Sequence, residues 1–427
     1  MATVEKRGYF TGWTLKKEGI IAPEERLPWG QSIFVGLQHV LAMFGSTVLA
    51  PIIMGFDPNT AIFFSGIGTL IFFLVVGGRV PSYLGSSFSF IAVVIAATAY
   101  SGKGPNTHID VALGGIIAAG VVYAIIGIIV IFVGYKWIEY LMPPVVTGAV
   151  VAAIGLNLAP VAVSDAATSQ FDTWMAIVTV LAVAAVAVYL PGPLRRLPIL
   201  IGGIIGYIIY LIFANGFGLG KAIDFTGLSN AAWVGLPNFT TPTFHANAMA
   251  LIAPVAIILV AENLGHVKAV GAMTGRSLDK YLGRAFLGDA LATIVSASGG
   301  GTGVTTYAEN IGVMAVTRIY STLIFIIAAV VAILLGFSPK FGALIHTIPP
   351  GVLGGLAIVL FGLIAATGGR IWVHFSIGGI GTATFGSIIL YQILRERGTK
   401  PEEVATADAA VNVEPGDKGS LEAGAGE

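Results

Sequence analysis

Thr305-Thr306-Tyr307-Ala308-Glu309-Asn310-Ile311-Gly312-Val313-Met314-Ala315-Val316-Thr317-Arg318 sets a carboxylate inside a chain that otherwise reads as built for lipid. A charged side chain at bilayer depth costs roughly 3 kcal/mol even on lenient insertion scales, so it persists where it faces a cavity, a partner or a substrate. The stretch opens with small polar residues and ends in a short apolar run, shorter than the roughly 20 residues a spanning helix needs.

The surrounding composition fixes the class. Of 427 residues, 56% are hydrophobic and 10% charged, and mean hydropathy is +0.89. Soluble domains carry about 25% charged residues, so the chain is expected to be an all-α polytopic membrane protein. Apolar runs near 32–54, 60–77, 83–100, 111–133, 145–163, 174–190, 197–214, 247–261, 281–297, 306–316, 319–337, 350–367 and 376–394 give thirteen candidate spans, some of them short.

Residues 1–31 form a basic, polar leader with Lys6, Arg7, Lys16, Lys17 and Arg26 and no signal-peptide cleavage pattern. Basic residues beside the first span favour a cytoplasmic N-terminus. Lys136, Arg195 and Arg196 mark further loops, and residues 395–427 read as a disordered cytosolic tail. The charges balance at 22 basic and 22 acidic, which gives no reason to expect a nucleic-acid partner. No cysteine is present, and the six histidines are scattered without metal-ligand spacing, so no metal or other cofactor is expected.

An internal echo organises the spans. Pro143-Pro144-Val145-Val146-Thr147-Gly148-Ala149 and Pro349-Pro350-Gly351-Val352-Leu353-Gly354-Gly355 each open an apolar run, 349 − 143 = 206 residues apart. Gly85-Ser86-Ser87-Phe88-Ser89-Phe90 and Thr302-Gly303-Val304-Thr305-Thr306-Tyr307-Ala308 echo each other at an offset of 308 − 88 = 220. Secondary transporters are often built from two repeats whose short, Gly-interrupted spans break at the membrane midplane and hold substrate there, and the third and tenth spans fit. The expected division is a first repeat over 32–214, a connecting loop over 215–246 and a second repeat over 247–394.

The second repeat is short. Pro144 to 214 is 70 residues and Pro350 to 394 is 44, a deficit of 26, about one helix and a turn. The junction falls around Gly369-Arg370-Ile371-Trp372-Val373-His374-Phe375. Thirteen spans would put the termini on opposite sides, although Arg395, Arg397 and Lys400 look as cytoplasmic as the leader, so either a span is missing or the 370–394 region packs unusually.

Glu262 and His266 stand four apart in Ala261-Glu262-Asn263-Leu264-Gly265-His266, toward one end of their span or at an interruption, and share one helical face. They can form a proton relay or pair with each other; Glu309 can face a substrate or pair with Arg318 or Lys268. Asp289 reads as facing a polar crevice. Gly299-Gly300-Gly301 lacks the context of a phosphate loop and reads as a close-packing turn. No nucleophile accompanies these groups, so no enzyme is expected.

Glu309-Asn310-Ile311-Gly312 followed by Thr317-Arg318 resembles the signature of the nucleobase-ascorbate transporter (nucleobase:cation symporter) family, and Gln38-His39 and the Glu262 motif resemble two further family motifs. The similarity runs from about Leu27 to Ile393 and is nearest the uracil and pyrimidine permeases. It implies two inverted repeats of seven spans, arranged as core and gate domains, with short β-strands in the third and tenth spans, and makes the thirteenth span the missing one. It implies that Glu262 and Glu309 bind the base, that backbone groups at Phe88 and Ala308 complete the pocket, and that Ser46 lines it. His266 matches a histidine tied to proton coupling, and His39 one that supports the tenth-span strand near Tyr307; Asn310 belongs to the signature. The expected function is proton-coupled uptake of uracil or related pyrimidines across a bacterial cytoplasmic membrane, with the proton as coupling ion, the lipid bilayer as surroundings and a homodimer as assembly. The alternatives are a xanthine or uric acid carrier of the same family, and an anion transporter or channel of similar repeat architecture.

Overall fold

The computed structural model describes residues 9–10, 12–102, 104–191 and 197–369. The 376–394 span, the junction beyond Gly369, the missing thirteenth span, the 395–427 tail, Arg195, Arg196, Lys6 and Arg7 lie outside the described residues.

The leader contributes β1 (Thr14–Leu15) and β2 (Glu25–Arg26), paired in parallel. The first half then runs α1 (Trp29–Met54), α2 (Pro58–Val76), β3 (Leu84–Ser86), a tight turn over Phe88–Phe90, α3 (Ile91–Thr98), α4 (Ile109–Val133), α5 (Lys136–Leu141), α6 (Pro144–Ala166), α7 (Gln170–Tyr189) and α8 (Pro198–Leu211), which a wider turn extends to Gly216. After α9 (Thr226–Asn230), the second half runs α10 (Ala246–Ile252), α11 (Val255–Thr274), α12 (Leu282–Ser298), β4 (Val304–Thr306), α13 (Ala308–Thr317), α14 (Thr322–Gly336), α15 (Pro339–His346) and α16 (Pro350–Gly369). Among the described residues seven helices are long and apolar enough to cross a bilayer.

Local signals explain the boundaries. Asp57 caps α2 by accepting from the Asn59 amide at 3.0 Å, with Pro58 at the first helical position, where its missing N–H costs nothing. The two Pro-Pro echoes open α6 and α16. A short helix precedes each: α5 in the first half, and in the second α15, bent 82° from α14. The echo is thus a structural repeat.

The other echo is the heart of the fold. β3 and β4 pair antiparallel, with Leu84 opposite Thr306, Gly85 opposite Thr305 and Ser86 opposite Val304. Strands at membrane depth are tolerated only when their backbone groups are satisfied inside the protein, and all six residues are buried. α3 and α13 start at opposite ends of this strand pair and run apart as half-helices. Side-chain packing is tight enough at Gly85 to exclude any other residue: a Cβ there would meet the Tyr307 ring at 2.5 Å and Thr47 Oγ1 at 2.6 Å.

Packing divides the helices into two groups. In the core group α12 lies against α2 and α4, and α14 against α1 and α2, around the β3–β4 pair; in the gate group α6 and α7 pack on α16, and α8 on α7. The described leader lies across the core: the Ile21 amide donates to the Arg318 carbonyl at 3.1 Å, the Tyr320 amide to the Ile21 carbonyl at 2.8 Å, and Arg276 grips Glu24 through two 2.7 Å hydrogen bonds.

Candidate functional site

Each half-helix start leaves backbone N–H groups without intrahelical acceptors, and the helix dipole favours negative charge there. Ala308 is the first residue of α13 and exposed; Glu309 is the second and partly exposed, while the first intrahelical bond runs from the Ile311 amide to the Tyr307 carbonyl. Ser46, buried on α1, donates its hydroxyl to Glu309 Oε1. Neither Arg318 nor Lys268 pairs with Glu309 among the described residues: Lys268 bridges Glu139 at 2.7 Å and Asp279 at 2.6 Å instead.

Glu262 lies in the middle of the α10–α11 crossing, not toward its end as the sequence suggests. The polar residues after Val260 read as a helix exit, but Glu139 and Asp279 satisfy Lys268 and the helix continues to Thr274. Glu262 Oε2 is buried without a hydrogen-bond partner among the described residues. The Ser87 and Ser89 side chains stand beside Glu262, and α11 packs against α13, the helix that carries Glu309. The structure therefore brings both sequence-nominated carboxylates together.

His266, one turn further along α11, does not bond Glu262; its Nδ1 meets Thr306 Oγ1 of β4 at 2.8 Å. His39 meets the tenth span three residues after Tyr307, at Asn310, whose Nδ2 lies 3.0 Å from both the His39 ring Nδ1 and its backbone carbonyl. Tyr307 already has partners: its hydroxyl donates to the Ser86 carbonyl at 2.9 Å and accepts from Thr47 Oγ1 at 3.1 Å, clamping the strand pair. Phe88 meets Phe361 of the gate helix α16 edge to face, with ring centroids 5.8 Å apart.

Asp289 is not in a crevice. It is fully buried, and its Oδ2 accepts from Asn263 Nδ2 at 2.9 Å and from the Tyr123 hydroxyl at 3.3 Å. Gly299-Gly300-Gly301 is a close-packing turn: a Cβ at Gly299 would sit 2.1 Å from the Phe64 ring, and Gly300 has φ +100°.

Sequence reasoning missed Thr47, Thr306, Phe361, Asn263 and Tyr123. Asn263 stood beside Glu262 in the same motif, and Tyr123 carries the only hydroxyl in α4. An apolar cavity of ≈ 290 Å³ between α1, α8, α15 and α16, with Phe44, Leu49, Tyr207 and Leu356 in its wall, touches neither Glu262, Asp289 nor Glu309. Among the described residues no cluster of three His, Cys, Asp or Glu side chains could hold a metal.

Broken spans joined by a strand pair, two polar half-helix starts and two carboxylates between core and gate define a membrane transporter of the inverted-repeat type. Residues 30–390 match the profile of the Permease family (Xan_ur_permease), and the chain belongs to that family. It is 58% identical over 423 residues to the "Putative pyrimidine permease RutG" of Escherichia coli (strain K12), covering 91% of this chain and 96% of that one. It is 41% identical to the uracil permease of Paenibacillus larvae subsp. larvae, covering 84% and 85%. The transmembrane domain of the cyanobacterial bicarbonate transporter BicA has the same fold, with a TM-score of 0.62, 17% identity and 85% and 95% coverage. The protein is a multi-pass membrane permease and not an enzyme.

Proposed function

We propose that this permease imports uracil or a closely related pyrimidine base together with protons across a bacterial cytoplasmic membrane, with its N-terminus in the cytoplasm. The observation that carries the reading is the pair Glu262 and Glu309, the first beside Ser87 and Ser89 at the turn that leads into α3 and the second in the first turn of α13. Uracil offers N–H donors and carbonyl acceptors around one planar ring. Ionised carboxylates accept from the N–H groups and backbone amides donate to the carbonyls. Buried polar groups left unpaired by an analogue with another donor pattern would reject it. Relatives named for pyrimidine and uracil support the substrate class.

In this reading Ser46 orients Glu309, Phe88 and Ala308 bound the pocket, and the Glu262–His266 face takes a proton from outside. Proton and base bind together between core and gate, the core shifts, and both leave on the inside. No cofactor takes part.

A thermal-shift and calorimetric panel of nucleobases on the purified protein tests the reading. Uracil should bind, and Glu309→Gln and Glu262→Gln should each weaken it by 10-fold or more, since a hydrogen bond to a charged group is worth about 1.5–3 kcal/mol. Preference for xanthine or urate over uracil would move the protein to a purine carrier. Bicarbonate or sulfate binding with both carboxylates replaced would move it to the anion carriers.

A further inference from the structure

The cavity between α1, α8, α15 and α16 takes no part in the base site, yet it lies where the core group meets the gate group. α1 forms its core side, and α8 and α16 form its gate side. Two glycines set how closely these helices approach: a Cβ at Gly45 of α1 would meet Ile199 Cγ2 of α8 at 2.8 Å, and a Cβ at Gly203 of α8 would meet Leu356 Cδ1 of α16 at 3.1 Å. The helices touch there and still leave ≈ 290 Å³ among them.

Tyr207 carries the only polar side chain in the wall. Its hydroxyl lies 2.8 Å from Thr347 Oγ1, and the Thr347 hydroxyl itself donates to the Leu344 carbonyl at 2.6 Å, so the Tyr207 proton is already placed. The wall's side chains keep no donor for a ligand. Water needs several polar partners, and a nucleobase would leave its own N–H and carbonyl groups unpaired. What such a wall accepts is hydrocarbon.

A sealed apolar cavity can stay empty. This one reaches the surface: Ile204 of α8 and Leu344 of α15, both in its wall, are 50% and 45% exposed. The exposure continues on the same face of α8 and the wider turn after it, at Ile208 and Ile212, along a segment, Pro198–Gly216, long and apolar enough to span the bilayer. Lipid tails lie against such a stripe. An unfilled recess beside them would forfeit the dispersion contacts of its wall.

We propose that this cavity is an acyl-tail site: one tail of a bilayer phospholipid enters between Ile204 and Leu344 and lies against α1 and α16, with its headgroup left outside. No Lys or Arg stands in the wall to hold the carboxylate of a free fatty acid, which favours a tail whose charged end stays at the membrane surface. The seated tail touches both helix groups at once. In the transport cycle proposed above the core shifts against the gate, so the space between α1 and α16 changes with it and the tail favours the arrangement that fits it. This link rests on the proposed function, whereas the acyl-tail site itself does not.

The test separates the two. The first measurement uses purified full-length protein without base, in phosphatidylcholine vesicles carrying a trace of phospholipid with a diazirine at the end of one tail. Photolysis and peptide mass spectrometry should place adducts on Val48, Leu353 or Leu356 in the wall. Ile204→Trp narrows the mouth at an exposed position, and Val48→Phe fills the space from α1. Each should cut the wall adducts by about 5-fold or more, since overfilling a packed space costs binding, while adducts at Ile208 and Ile212 persist. Adducts confined to exposed side chains would overturn the site and give the space to residues 376–394 of the same chain or to a second copy. Equal wall labelling in native protein and variant would overturn it too, and a diazirine fatty acid that labels the wall where the phospholipid does not would overturn the phospholipid source. Where Val48→Phe fails to fold, Ile204→Trp carries the comparison.

The second measures uracil uptake into the same vesicles. Ile204→Trp should change the initial rate by about 5-fold or more and leave uracil affinity within about 2-fold, because it touches the moving interface and not the base site. Equal rates would overturn the link to transport. Wall labelling in a native protein that neither binds nor takes up uracil would sink the substrate reading and leave the acyl-tail site standing.

Discussion

Ser46 on α1 donates its hydroxyl to Glu309 Oε1 on α13, joining residues 263 positions apart. The contact leaves the other carboxylate oxygen to the site and fixes the direction in which it points. In the proposed function, a carboxylate without this contact would have to be ordered by each arriving base.

Ser46→Ala should therefore weaken uracil binding by about 10-fold or more, the loss of a hydrogen bond to a charged acceptor. Calorimetry on the purified variant reads it directly. Unchanged affinity would mean that Glu309 is oriented by its helix start alone.

Asn310 fills two acceptors of His39 at once. Asn310→Ala should lower the thermal unfolding midpoint and cost about 2–4 kcal/mol, because a buried ring nitrogen and a buried carbonyl both lose their donor. A midpoint equal to that of the native protein would show that water replaces the amide.

Gly85→Ala places a methyl group within 2.6 Å of both the Tyr307 ring and Thr47 Oγ1. The strand pair should part and base binding should be lost. Tyr307→Ala in the same chain removes the ring that clashes, so partial return of folding, read by size-exclusion profile, is the expected signature of this cause.

The leader's attachment should rest on Ile21 rather than on its ion pair. Ile21 is fully buried between the core and the leader, so Ile21→Ala should cost about 2–5 kcal/mol. The Arg276–Glu24 pair is substantially exposed and worth about 0.2–1 kcal/mol, so Glu24→Gln should barely move the unfolding midpoint. The reverse ranking would contradict this view of the strap.

Asp279 supplies a pH signature outside the spans. Burial works against its charge, but hydrogen bonds from Lys268 and Tyr135 outweigh it and hold the carboxyl below its ordinary value of 3.8. A depressed folded-state value contributes stability that is present above the unfolded value and lost as pH falls through the folded one. Native protein should lose this contribution only below about pH 4, and Asp279→Asn should lack it at neutral pH already. Parallel curves for the two proteins would exclude the linkage.

The sequence carried the scaffold well because its signals are periodic or repeated. Apolar runs of spanning length and the two Pro-Pro echoes located α6 and α16, and the Gly-Ser and Gly-Thr stretches located both broken spans. Glu262 and Glu309 stood out because charge is rare in such a chain. Contacts across the fold left no such trace. Thr47, Ser86 and Tyr307 meet only once β3 and β4 pair, and nothing in the order of residues announces that His39 bonds Asn310. The extent of α11 was misread because Lys268 finds its two acceptors on α5 and on the turn before α12, which no local pattern reveals.

The pairing of β3 with β4 joins residues 305 − 85 = 220 positions apart. During synthesis, β3 must wait in the membrane for a strand that the ribosome has not yet made. Until then it presents an open edge in a place where water cannot satisfy it. The nascent first half therefore carries that edge until the second half is made, and the strand pair is among the last parts of the molecule to form.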